Sequence, residues 1–159
     1  MKDELILSPR ELLFISVLLD ATEFLGIPDA FFGMEESEMQ QELLSLQSSL
    51  EKKGYAEMDF DGSFALKDDV SDMVDVCANC DIFIVVDKNK AGKAQIRELY
   101  YVKSADIVKL SEVKEGYSLT FICDVDGLIK HIAEGVELQY DGASSLKDVR
   151  LTNEVLFNV

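Results

Sequence analysis

Three cysteines and a single histidine are the residues best equipped for metal or redox chemistry in this chain. Cys77-Ala78-Asn79-Cys80 is a C-x-x-C, and with Cys123 and His131 it supplies the ligand set of a Cys3His zinc site. The spacing argues otherwise: structural zinc sites bring two close ligand pairs, and Cys123 and His131 lie eight residues apart. A thioredoxin-like pair sits where a strand enters a helix. This one sits where an expected helix enters an expected strand, with no basic group near to lower a thiol pKa. Ordinary buried or half-buried thiols are the expectation.

Glu57-Met58-Asp59-Phe60-Asp61-Gly62, continuing to Asp68, imitates a calcium loop, with acids at positions 1, 3 and 5, glycine at 6 and an acid at 12. Position 12 is the short Asp68, where a bidentate glutamate is needed, and the flanks alternate like strands rather than helices. A hairpin is expected there. Nucleophilic catalysis finds no support: no Gly-x-Ser-x-Gly or phosphate-cradling glycine loop exists, and His131 sits among apolar neighbours on an expected helix. The sequence is read as no enzyme, with no cofactor and no metal. Lys88, Lys90 and Lys93 form the one local basic cluster, either a solvated turn or a projecting recognition loop.

The wider composition narrows the partners. The 159 residues carry 15 Lys+Arg against 31 Asp+Glu, a formal net charge of -16. Such a surface repels nucleic acid and anionic membranes, whose recognition relies on Lys and Arg. With 48% hydrophobic residues, 9 Gly and 2 Pro, the chain has the makings of a packed core and none of the signature of disorder. The longest apolar run, Leu12 to Leu19, is far short of the roughly 20 residues of a membrane span. Acids beside Lys2 and Arg10 disqualify it as a signal peptide, so a cytoplasmic protein with reduced thiols is expected.

The elements follow from periodicity. Ser8-Pro9-Arg10-Glu11 is a capping box for a helix running to about Asp20 or Glu23, apolar nearly all round and therefore expected to be buried. Leu25-Gly26-Ile27-Pro28 ends it. A second helix, roughly Glu35 to Lys53, shows one apolar seam of Met39, Leu43, Leu46 and Leu50, with Gly54 placed for its C-cap. Tyr55–Phe60 and Ser63–Lys67 flank Asp61-Gly62, the pair preferred by a two-residue hairpin turn. A third helix spans about Asp68 to Cys77. From there the period is two: a strand Ile82–Val86 expected to be covered on both faces, strands about Gln95–Lys103, Asp106–Leu110 and Tyr117–Cys123, then a helix from Val125 to about Ala133. Asp124 is its expected N-cap, and Leu128, Ile129 and Ile132 its inward face. Val136–Tyr140 and Val155–Val159 look like further strands.

The fold class expected is α+β: a winged-helix-like helical lobe over residues 1–80, then an antiparallel β-meander over residues 81–159 covered by a C-terminal helix, the two packed as one unit. Charge divides the same way, with 5 Lys/Arg and 18 Asp/Glu in residues 1–80 against 10 and 13 in residues 81–159. The second helix of that lobe exposes glutamates where a DNA-reading helix needs cations.

Ser8-Pro9-Arg10-Glu11-Leu12-Leu13, then Leu25-Gly26-Ile27-Pro28, then a helix ending Leu50-Glu51-Lys52-Lys53-Gly54-Tyr55, resembles the opening of the EspG-type chaperones of ESX (type VII) secretion systems. Ile84 to Ile132 is similar to the meander and helix of their first half. The resemblance covers residues 8–134 and implies a non-enzymatic cytosolic chaperone or adaptor whose protein partner is a helical secretion substrate. It implies no nucleic acid, membrane or cofactor. The surface expected to bind is the turn of Lys88, Lys90 and Lys93 with Tyr100 and Tyr101 as anchors on the adjoining strand face. A winged-helix regulator or dimerisation module is the alternative.

Overall fold

Ser8 separates the first strand from the first helix. Ahead of it lies β1 (Glu4–Leu7); behind it α1 (Pro9–Leu18) begins with the expected capping box. The Glu11 amide donates to Ser8 Oγ at 3.2 Å, and the Ser8 amide donates to Glu11 Oε2 at 2.7 Å. This computed structural model describes residues 4–60, 62–88 and 96–133. Beyond α1 come α2 (Glu36–Lys52), a hairpin of β2 (Ala56–Met58) and β3 (Phe64–Leu66), and α3 (Asp68–Ala78). Strands β4 (Ile82–Lys88), β5 (Ile96–Lys103), β6 (Asp106–Val113) and β7 (Gly116–Ile122) follow, then α4 (Val125–Ala133). The protein is mixed α+β, and the described residues form a five-stranded antiparallel sheet in the order β1-β7-β6-β5-β4. The expected strands Val136–Tyr140 and Val155–Val159 lie outside the described residues.

The structure differs from the sequence-based expectation at five places. β1 was not anticipated, because four residues are too few to display a period. It pairs with β7 from Glu4↔Thr120 to Leu7↔Tyr117 and buries Leu5 and Leu7 completely. Among the described residues β4 is an edge strand of the sheet rather than a central one, and Ile82 and Val85 are exposed, so its apolar run does not mean cover on both faces. In the hairpin, three residues rather than two separate the paired Asp59 and Ser63. The Asp59 amide donates to Ser63 O, the Gly62 amide donates to Asp59 O, and Gly62 takes φ +85° to close the loop. Finally, α1 ends at Leu18 with Val17 and Leu18 exposed, and Ile129 of α4 points to solvent rather than inward.

Alternation along the strands sorts side chains onto two faces. One face carries Leu5, Leu7, Leu99, Tyr101, Val108, Leu110 and Leu119 and meets the helices. Its core joins Leu12 of α1, Leu50 of α2 and Met73 of α3, so one apolar cluster runs through both expected lobes. The opposite face carries a smaller cluster of Tyr100, Ile107, Ile122 and Leu128 beneath α4. α4 is capped as expected, Asp124 Oδ1 accepting the Gly127 amide at 2.7 Å.

Candidate functional site

Tyr100 and Tyr101 are neighbours on β5, so the pleat sends them to opposite faces of the sheet. Both are fully buried. The two tyrosines expected as anchors on the strand adjoining the lysine turn thus present no exposed ring. Lys88, the last residue of β4, is described; Lys90 and Lys93 lie outside the described residues.

The structure brings Lys88 and Tyr100 together around a residue the sequence reading passed over, Glu98. Lys88 Nζ lies 2.6 Å from Glu98 Oε2, Lys109 Nζ lies 2.6 Å from Oε1, and the Tyr100 hydroxyl donates to Oε2 at 2.9 Å. Burial would raise the Glu98 carboxyl, but the hydrogen bonds from Lys109, Lys88 and Tyr100 outweigh it and hold the group down at about 2. Lys88 Nζ also donates to the His131 carbonyl at 2.9 Å, capping the C-terminal end of α4. Glu98, Lys88, Lys109 and Tyr100 each have a partner here, and the bond from Lys88 to the His131 carbonyl fastens the network to α4. Its sequence signal was slight: Lys109 is the lone cation in the apolar run Ile107-Val108-Lys109-Leu110, directly opposite Tyr100 in register.

Tyr101 does its work on the other side. Its hydroxyl donates to the Leu25 carbonyl at 2.7 Å, and its ring meets Phe24 edge-on at 5.6 Å between centroids. Gly26 then presses the chain against the sheet. A Cβ there would sit 2.8 Å from Phe83 and 2.9 Å from Leu99, and φ is +79°. Arg10 holds the far part of the same connection, donating to the Ala30 carbonyl while pairing with Glu42 of α2 at 2.9 Å. The segment between α1 and α2 is thus pinned at three places.

Pinning it leaves an open groove of about 430 Å³ against α1. Leu13 and Val17 of α1 line it together with Phe24, Ile27 and Phe31 of the following segment, and the polar Ser16, Thr22, Glu23 and Asp29 stand among them. Val17 is 66% exposed, and Phe32, beside the groove in sequence, is 90% exposed. In a chain this acidic, apolar side chains left open beside a concavity are the clearest surface feature of the described residues. The sequence signal was present in Leu25-Gly26-Ile27-Pro28, but it read as a helix stop and not as a wall.

The cysteines are free thiols: Cys77 buried, Cys80 half-buried, Cys123 exposed. Burial, with Cys80 adding to it, pushes the Cys77 thiol well up, and burial raises Cys80 too. Among the described residues no group of three His, Cys, Asp or Glu side chains is placed to hold a metal, and no helix is long and apolar enough to cross a membrane. No protein-family model matches the chain, and no curated protein matches it in sequence.

Proposed function

We propose that this chain is a non-enzymatic cytosolic chaperone or adaptor that holds a helical substrate protein of an ESX (type VII) secretion system, in the manner its resemblance to EspG-type chaperones implies. The observation that carries the reading is the groove beside α1. It combines the exposed Val17 with half-buried Leu13, Ile27 and Phe31, a wall fixed by Tyr101, Gly26 and Arg10, and a strongly anionic chain that keeps such a patch in solution. A site that is apolar, open and already in shape suits a polypeptide anchor.

The winged-helix-like character of the first part belongs to the same proposal. It is supported by the order α1, α2, β2–β3 hairpin and by the packing of α1 on α2 and α3. The alternative, a winged-helix regulator or dimerisation module, draws on that order and on Phe60, fully exposed near the hairpin tip. Glu57 and Asp59 beside it suit protein contact and repel phosphate.

The test is a titration of the purified chain with the WxG-type helical proteins encoded next to its gene, alongside an ESX-type ATPase. A one-to-one complex that survives gel filtration is expected. If no such proteins are encoded nearby, or none forms a complex, the secretion reading falls. Retention on duplex DNA at low salt would favour the regulator instead.

A further inference from the structure

We infer that the groove beside α1 selects a helix whose apolar stripe is flanked by lysine or arginine. The inference rests on the reading of the groove as a polypeptide site and names the chemistry of its occupant. Leu13 and Val17 stand four residues apart on α1 and form a ridge along its open side. A ridge of that spacing takes the side-chain row of a second helix. Ser16, which also lines the groove, is 4% exposed and its hydroxyl donates to the Leu13 carbonyl at 2.8 Å. Leu13, Val17, Phe24, Ile27 and Phe31 thus give the groove an apolar strip beside the polar Thr22, Glu23 and Asp29, and the occupant needs an apolar stripe to meet that strip.

The rim sets the occupant's charge. Asp20 is exposed at the end of α1, and Glu23 lines the groove three residues on. Among the described residues neither carboxylate has a cationic partner. Arg10, the base of α1, is committed to Glu42 and the Ala30 carbonyl, and the last turn of α1 holds no basic residue. The partial negative charge of the helix end adds to the two carboxylates. The fold thus presents uncompensated negative charge at one lip of an apolar cleft, and a helix with cations beside its stripe supplies what is missing.

The test uses the full chain and two helically stapled 18-residue peptides sharing one leucine stripe, flanked by three lysines in one and three glutamines in the other. Fluorescence anisotropy at low salt should give at least tenfold tighter binding of the lysine peptide, with the preference shrinking as salt rises. Asp20→Asn with Glu23→Gln should remove at least fivefold of that preference and leave the glutamine peptide unchanged. The matched neutralisation Glu51→Gln with Asp126→Asn, away from the groove, should change neither. Equal binding of the two peptides, or equal loss in both double variants, overturns the inference, since general attraction to an acidic protein would then suffice. Binding of neither peptide, or binding that Val17→Asp does not weaken, overturns it as well. A surviving complex with the secretion substrate would in that case show that the function stands and uses another surface.

Discussion

The two faces of the sheet are held by different physics, although the same strands supply both. Toward the helices, Leu5, Leu99, Tyr101, Leu110 and Leu119 join side chains of α1, α2 and α3 in one apolar core. Toward α4 the apolar cluster is small, and Glu98 with Lys88, Lys109 and Tyr100 does much of the fastening. A broad face can rely on area. A narrow one, covered among the described residues by the nine-residue α4, relies on a charge network whose members must all be present.

The sharpest way to break that contrast is Glu98→Gln. It leaves two half-buried ammonium groups facing an amide, and should cost about 4 kcal/mol in urea unfolding. Replacing all three charged residues together (E98M, K88M, K109L) should cost far less, because no charge is then left without its counterpart. A loss below about 1 kcal/mol for Glu98→Gln would mean that the network is ornamental and that α4 is held by apolar contact alone.

On the helical face the corresponding probe is Leu119→Ala. Leu119 is fully buried between its register partners Leu5 and Leu110. Removing its branch should cost about 3 kcal/mol, the transfer loss plus a cavity that rigid neighbours cannot fill. No rescue by a second substitution on this face is expected unless it restores volume. That asymmetry, rescue by neutralising partners on one face and only by volume on the other, is the comparison in experimental form.

The sequence made the helical face easier to read than the other. The capping box at Ser8 and Glu11, the seam ending in Leu46 and Leu50, and the Val70, Met73, Val74 and Cys77 row of α3 all declared themselves through spacing. What spacing does not encode is what those residues meet. Glu11 looked like a cap and is also the buried receiver of Lys53 Nζ and Ser49 Oγ, both at 2.7 Å, tying α1 to the end of α2. Tyr100 and Tyr101 were legible as strand residues, yet period two alone assigns them to different faces, and exposure depends on partners distant in sequence. The groove was least legible. Its wall depends on a bond from Tyr101 to Leu25, 76 residues away, which no local pattern announces.

Acid gives a smaller and separable effect on the α4 face. Glu98 is held at about 2, below its ordinary value, so its network stabilises the fold fully at pH above the ordinary carboxylate range. That contribution, about 2 kcal/mol, should disappear as pH falls from about 4.5 toward 2. Glu11 shifts in the same direction: burial would raise it, and bonds from Lys53, Ser8 and Ser49 outweigh that. Carboxyl carbon NMR titration separates the two, and the stability slope between pH 5 and 2.5 should flatten in Glu98→Gln. An unchanged slope in that variant would assign the acid sensitivity to the helical face instead.

The smallest expected effect is a gain, and it lies where the helical side opens to water. The Ala21 amide donates to the Ser16 carbonyl and the Asp20 amide to the Val17 carbonyl, closing α1 with the two bonds of a Schellman turn. That turn places Asp20 at φ +58°, a position that favours glycine, and sets its carboxylate at the negative end of the helix. Asp20→Gly should therefore raise stability by about 1 kcal/mol, read as a higher Tm and slower hydrogen exchange in the last turn of α1, with Asp20→Asn gaining less. The same change should weaken capture of the lysine-flanked peptide, because the charge removed is the one the rim presents. A residue that the fold would be better without and that the ligand needs is what a binding lip predicts. Loss of stability in Asp20→Gly would show instead that the carboxylate serves the helix end itself, and would remove the rim from the account of selectivity.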